Sequence, residues 1–257
     1  MDSRIDAGMT YRLQGAVDLH SHTLPGIDDG AITMADSLEM LRIAAENGTA
    51  IMTATPHRWH EGHENGPELL RRLTAQVNEA LSASTLARVI QLLPGQEIPL
   101  LPSTAAELMD GTLLTLGDYG KYALVEPPFE HLPDFVASAL SEIASTGICP
   151  VLAHPERNAV IQRDPSLVEP FLEAGAVLQL TAMSVSGDNG PVAEAAAHWI
   201  IEKTSRCIVA SDTHSATWRP PLLTRAFAAV TARHGAETAN RLFVANPGAI
   251  VRGDNVP

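Results

Sequence analysis

The chain has no unbroken run of 18 or more apolar residues, so nothing in it reads as a membrane span. Cysteine is scarce. Cys149 and Cys207 each precede an apolar, strand-like run, which argues against a disulfide framework and for two buried thiols. Neither opens a Cys-x5-Arg phosphate loop, because Pro155 and Thr213 stand where the arginine would be. No GxSxG is present either, so covalent catalysis through serine or cysteine has no support. The first strand is not followed by GxGxxG, which weighs against a dinucleotide-binding sheet. Basic residues are few, 17 Lys and Arg against 30 Asp and Glu, for a formal charge of −13. A nucleic-acid partner held by a basic surface is therefore not expected. The opening MDSRIDAGMTYRLQG is polar and lacks the apolar core of a secretory signal, so a cytosolic protein without membrane insertion is expected.

What is present is an apolar fraction of 45% over 257 residues, ample for one large core. Seven apolar segments recur roughly every 30 residues, mostly with helical connections, a rhythm that means right-handed βα units and a parallel sheet. They are AVDLHSH, AIMTATPH, ARVIQLLPGQEI, KYALVEPPF, CPVLAHPER, AVLQLTAMS and CIVASDTH. Several are nearly continuous in Val, Ile, Leu and Ala, as strands covered on both faces are. The fold class is α/β, and seven such units close into a barrel more readily than they lie flat. Residues 1–15 read as an N-terminal tail and 16–257 as one domain. Helices are expected over 34–47, 67–83, 133–145, 165–173, 191–203, 221–233 and 236–243, with NPGAIVRGD as a closing tail.

The polar candidates stand at one place in each unit. His20 and His22, His57, Glu97, Glu126, His154, and Asp212 with His214 all fall at the C-terminal ends of predicted strands. In a parallel barrel those ends share one face, where active sites form. So many nitrogen and oxygen donors exceed the needs of one tetrahedral ion, and two or three divalent metals are expected. Asp28 and Asp29 follow within GIDDG; Asp29 reads as a further ligand, and the alternative is that the pair shapes a glycine turn or caps the next helix. Glu97 lies between apolar residues, where an unpaired carboxylate is costly and a metal is its simplest partner. His60, His63, His131, His198 and His234 read as loop, surface or packing histidines.

In this order, DLHSH, GIDDG, ATPH, GQEI, HPERN and SDTH resemble the polymerase-and-histidinol-phosphatase (PHP) superfamily. Within it they are similar to the manganese-dependent tyrosine phosphatases of bacterial capsular and exopolysaccharide loci, the CpsB/YwqE type, over about 17–253. That resemblance implies a distorted (β/α)7 TIM-like barrel. It also implies two or three Mn2+ ions, with Fe or Zn as alternatives, held by His20, His22, Asp29, His57, Glu97, Glu126, His154, Asp212 and His214. Arg157 of HPER and Arg219 of WRPP match arginines that hold the substrate phosphate, and His57 or His214 is the first candidate for proton donation. The implied substrate is a phosphotyrosine protein, a bacterial tyrosine kinase, with a small-molecule phosphatase of the histidinol-phosphate type as the alternative. One departure is Arg58, where the family often has a second histidine; His60 is a candidate substitute.

Overall fold

A computed structural model describes residues 13–257. Most of the expected N-terminal tail therefore lies outside the described residues, whereas Leu13 is already buried in the core. The strands are β1 (Ala16–Ser21), β2 (Thr49–Ala54), β3 (Trp59–His60), β4 (His63–Glu64), β5 (Gln91–Pro94), β6 (Glu97–Pro99), β7 (Tyr122–Glu126), β8 (Cys149–Ala153), β9 (Val177–Thr181) and β10 (Cys207–Ala210). One parallel sheet has the order β1-β2-β5 and a second the order β10-β9-β8-β7-β6. Two isolated parallel bridges join them, Ser21 to Thr213 and His57 to Glu97. The ring is thus a closed seven-position barrel whose seams are reduced to single bridges, which is the distortion.

The segment read as one strand, ARVIQLLPGQEI, is two. Its first half pairs with β2, its second half pairs with β7, and Gly95-Gln96 carries the chain from one sheet to the other. Gly95 is required there, since a Cβ would lie 2.7 Å from Thr53 Cγ2 and 3.2 Å from the Ala54 carbonyl oxygen. At the seam the Arg58 amide donates to Glu97 O (3.1 Å) and the Glu97 amide to Pro56 O (3.1 Å). Glu97 is thereby held through both its amide and its carbonyl to the chain that follows β2.

Alternation along the strands sorts the core into layers. Leu124, Val151, Val177 and Ile208 form one buried layer, joined by Val17 and Leu19 of β1 and by Ala249 and Ile250 near the end of the chain. Leu152, Leu178, Leu180 and Val209 face the other way, under the helices that cover the larger sheet. Helices Met34–Glu46 and Pro67–Ser82 cover the smaller sheet through Leu41, Leu70 and Val77. The first is fixed by a Thr33/Asp36 capping box.

Several expectations need correction. The closing segment is not a tail: Asn246–Arg252 is a helix, anchored where Asn246 Nδ2 donates to the carbonyls of Ser205 and Cys207. The polar loop after β2 holds a hairpin, in which Glu61 and Gly62 both have positive φ, as a type I′ turn demands. His198 is buried as a packing residue, as expected, but His234 is not a free surface histidine: its Nε2 lies 2.7 Å from His198 Nδ1 in an interhelical pair. Both cysteines are free, as expected. Cys207 is buried, its thiol pushed up to about 12 by burial, while Cys149 is only partly covered. Among the described residues no helix is long and apolar enough to cross a membrane.

The close approach at Gly95 sets a test. Gly95→Val is expected to lower stability by about 1–3 kcal/mol through overpacking against Thr53. Denaturant unfolding of the purified protein would show it, and an unchanged midpoint would contradict the strand-crossing geometry.

Candidate metal centre

The expected strand-end residues converge at the C-terminal mouth of the barrel. His20 closes β1, and His22 follows it with its amide donating to Thr213 O (2.8 Å). The GIDDG turn folds over His22, and Gly30 makes that possible, because a Cβ there would fall 2.0 Å from the His22 carbonyl oxygen. His154 and Asp212 leave β8 and β10 with φ of 33° and 52°, a left-handed conformation that strains residues with side chains. Strain held in place at two candidate ligands marks a site whose geometry the surrounding structure enforces.

Three donor groups overlap: His22, Asp29, His57 and His214; His20, His22 and Glu97; and His57, Glu97 and Glu126. Within each, the donor atoms lie within 4.8 Å of one another. Each pair of groups shares one residue, and Glu97 belongs to two. Its Oε1 lies 3.2 Å from His20 Nε2 and 3.1 Å from His154 Nε2, and its Oε2 lies 2.9 Å from His57 Nδ1. Asp212 Oδ1 lies 3.5 Å from both His20 Nε2 and His22 Nε2, and Asp29 Oδ1 lies 3.3 Å from His214 Nε2. Glu126 Oε1 is 3.5 Å from His154 Nε2. Every residue named in advance as a ligand is therefore in the cluster.

The donor set fits divalent cations on three counts. His20 Nδ1 lies 2.8 Å from Gln179 Oε1 and His22 Nδ1 lies 2.7 Å from Asp28 Oδ2, so both Nδ1 atoms are donors. In the neutral rings the two Nε2 lone pairs then face one another at 3.3 Å. Two nitrogens each about 2.1 Å from one ion stand roughly 3.3 Å apart, so a shared cation relieves this opposition. Second, Glu97 Oε2 is buried and, despite its nearness to His57, has no hydrogen bond of acceptable geometry. Third, the carboxylates call for positive charge. Burial disfavours protonation of His20, yet Glu97 and Asp212 outweigh it and lift its pKa to about 9. His22 is raised likewise against its burial by Asp212, Asp28 and Glu97. Glu97 and Asp212 are held well below the usual carboxylate range by the surrounding imidazoles, again against their burial. Glu126 moves the other way, raised by burial and by the charge of Glu97.

Two arginines border the cluster. Arg157 Nη1 donates to Asp212 Oδ2 (2.8 Å), and Arg219 Nη2 donates to the same oxygen. Phe129 stacks on His154 and packs under the Arg157 guanidinium, while Trp218 lies under that of Arg219. Arg157 does not pair with Glu156. That carboxylate turns inward and accepts from the Thr181 amide (3.0 Å). Arg58 also points elsewhere, to Glu64 (3.0 Å) and Glu107, and ties the hairpin to helix Thr104–Met109. His60 and His63 pair across that hairpin and enter none of the donor groups found among the described residues.

The family model for capsular polysaccharide synthesis, CpsB/CapC, matches residues 16–252. The chain belongs to the CpsB/CapC family. It is 37% identical over 203 residues to the tyrosine-protein phosphatase YwqE of Bacillus subtilis, covering 79% of each chain. It is 28% identical over 240 residues to the tyrosine-protein phosphatase CpsB of Streptococcus pneumoniae, covering 91% of this chain and 98% of that one. A solved chain from the pair YwqE of Bacillus subtilis and CpsB of Streptococcus pneumoniae, described as unique metal-dependent tyrosine phosphatases, superposes with a TM-score of 0.88 at 33% identity, covering 94% of this chain and 96% of that one. The lactonase Lmo2620 of Listeria monocytogenes shares the fold alone, at TM-score 0.58 and 12% identity over 96% of each chain.

Sequence reasoning missed the residues that aim the ligands. Gln179 interrupts the apolar run of β9, and Asp28 weighed less than Asp29 although it orients His22 and accepts the Gly30 amide (3.0 Å). His214 is aimed in the same manner, its Nδ1 lying 3.0 Å from Asp212 O. Such outer contacts typically govern metal affinity by 10- to 100-fold. Gln179→Leu and Asp28→Asn are therefore each expected to weaken metal binding by about 10- to 100-fold with circular dichroism unchanged. Competition with a fluorescent chelator measures this; wild-type affinity in both variants would refute the orienting role.

Proposed function

We propose that this chain is a metal-dependent protein-tyrosine phosphatase of the PHP type, one catalytic domain over 16–257. Its substrate in this reading is phosphotyrosine on a bacterial tyrosine kinase that governs capsular or exopolysaccharide synthesis. The observation that carries the reading is the trio of overlapping donor groups with two arginines at their edge. The named relatives, tyrosine-protein phosphatases of the same family, supply the substrate class. Manganese is the proposed resident ion, in two or three positions, with iron or zinc able to occupy the same donors. The cytosolic placement expected from the sequence belongs to the same reading.

In this reading His20, His22, Glu97 and Asp212 hold one position, His57, Glu97, Glu126 and His154 another, and His22, Asp29, His57 and His214 complete the set. Divalent ions bound there supply Lewis-acid charge to the phosphoryl group and acidify water for attack. Arg157 and Arg219 both donate to Asp212 Oδ2 and line the cleft with His154 and His214. There they neutralise charge spreading over the phosphoryl oxygens, and their planar forks fix its orientation. His57, about a quarter exposed, is the imidazole best placed to hand a proton to the leaving oxygen; His214, whose Nε2 accepts from Arg219 Nη1 (3.3 Å), could do so only once that nitrogen is protonated. A phenolate leaving group needs little such help, which agrees with both histidines also serving as ligands.

The test is turnover of a phosphotyrosyl peptide, histidinol phosphate and p-nitrophenyl phosphate before and after chelation. Activity on the peptide is expected to vanish on chelation and return with manganese. Arg157→Ala and Arg219→Ala are each expected to lower kcat/KM by about 10²–10³. Activity that survives full chelation would overturn the mechanism, and a preference for histidinol phosphate would move the chain to the small-molecule branch.

A further inference from the structure

The cleft bounded by the ligands and the two arginines has a volume of about 120 Å³. Clefts that enclose a drug-sized molecule begin near roughly 300 Å³, so this one takes a phosphoryl group and little more. The remainder of a substrate must lie outside it. A groove of about 490 Å³ opens alongside, and Asp29 and His214 line both spaces, so the groove is continuous with the centre.

The groove has apolar walls that the fold leaves bare. Ile32 is 80% and Trp218 62% exposed, on opposite strands of chain beside the mouth. Neither is on a slack loop. Ile32 is clamped between the Ala31 amide, which donates to His22 O (3.0 Å), and the Thr33/Asp36 capping box. Trp218 is set by Ser215 Oγ, which accepts from the amides of Thr217 (3.1 Å) and Trp218 (3.0 Å). Exposed apolar side chains carried on hydrogen-bonded backbone beside a reaction centre mark a recognition surface. The rim is charged with one sign: Asp36 and Glu61 line the groove and no lysine or arginine does.

We propose that the Ile32–Trp218 groove is a selectivity subsite for the polypeptide beside the phosphotyrosine, admitting apolar and basic neighbours and disfavouring acidic ones. The proposal rests on the phosphatase reading above. An apolar neighbour packs between Ile32 and Trp218, and a lysine or arginine next to it meets Asp36 and Glu61. A small aryl phosphate fills only the inner cleft and leaves the groove unused.

The experiment compares the manganese-loaded enzyme on p-nitrophenyl phosphate and on two phosphotyrosyl peptides that differ only in Lys or Glu beside the phosphotyrosine. Wild type is expected to favour the Lys peptide by about fivefold in kcat/KM, the scale of an exposed charge pair. Ile32→Ser is expected to raise KM for both peptides about tenfold, the scale of one lost apolar contact, with p-nitrophenyl phosphate turnover within twofold. Glu61→Lys is expected to abolish or reverse the Lys preference, again without effect on p-nitrophenyl phosphate. Trp218 is left intact in this test because it packs on Arg219. Equal kcat/KM for the two peptides together with an inert Ile32→Ser overturns the proposal. A parallel fall on p-nitrophenyl phosphate does so as well, since it shows a structural role. Wild type that hydrolyses none of the three phosphates would instead remove the phosphatase reading on which the groove depends.

Discussion

A carboxylate only 1% exposed among parallel strands stays ionised only where positive charge reaches it. Glu97 meets that condition through three imidazoles at 2.9–3.2 Å, from β1, from the end of β2 and from the end of β8. Its backbone is at the same time the seam between the two sheets, bridged to His57 and bonded to Pro56 and Arg58. Closure of the barrel and assembly of the donor cluster are therefore one event. Cations bound there stabilise the closed ring by mass action, because the unfolded chain has no such cluster.

The layer beneath the donors does the aiming. Gln179, Asp28 and the Asp212 carbonyl each engage an Nδ1, leaving three Nε2 atoms turned toward the centre. Asp212 serves both sides of the chemistry: one oxygen faces His20 and His22, and the other receives both arginines. The phosphate-neutralising groups are thus tied directly to the donor cluster, and the left-handed backbone at Asp212 and His154 is the strain that holds those side chains inward.

The barrel and its donors were legible because strand ends fall on one face whatever the detailed packing. The βα rhythm puts His20, His22, His57, Glu97, His154, Asp212 and His214 at strand ends, whereas Glu126 is weak by spacing alone and rises on the family resemblance. Less legible were features set by tertiary contact. The break at Gly95 looks like one long strand until the two sheets compete for its halves. The helix Asn246–Arg252 begins with an Asn-Pro-Gly sequence that reads as a turn, and its Asn246 is fixed by carbonyls some forty residues earlier. Arg58, a departure from the family pattern beside the centre, is instead engaged by Glu64 of the hairpin and by Glu107. Gln179 carries no periodic signal, since a lone amide in a buried strand shows its purpose only when His20 is beside it.

The most direct measurement is anomalous diffraction from crystals of the manganese-loaded protein, with data on both sides of the manganese edge. Two or three anomalous peaks are expected inside the cluster, with Glu97 contacting at least two and His20 and His22 sharing one. A single peak away from Glu97, or none after saturating manganese, would contradict it.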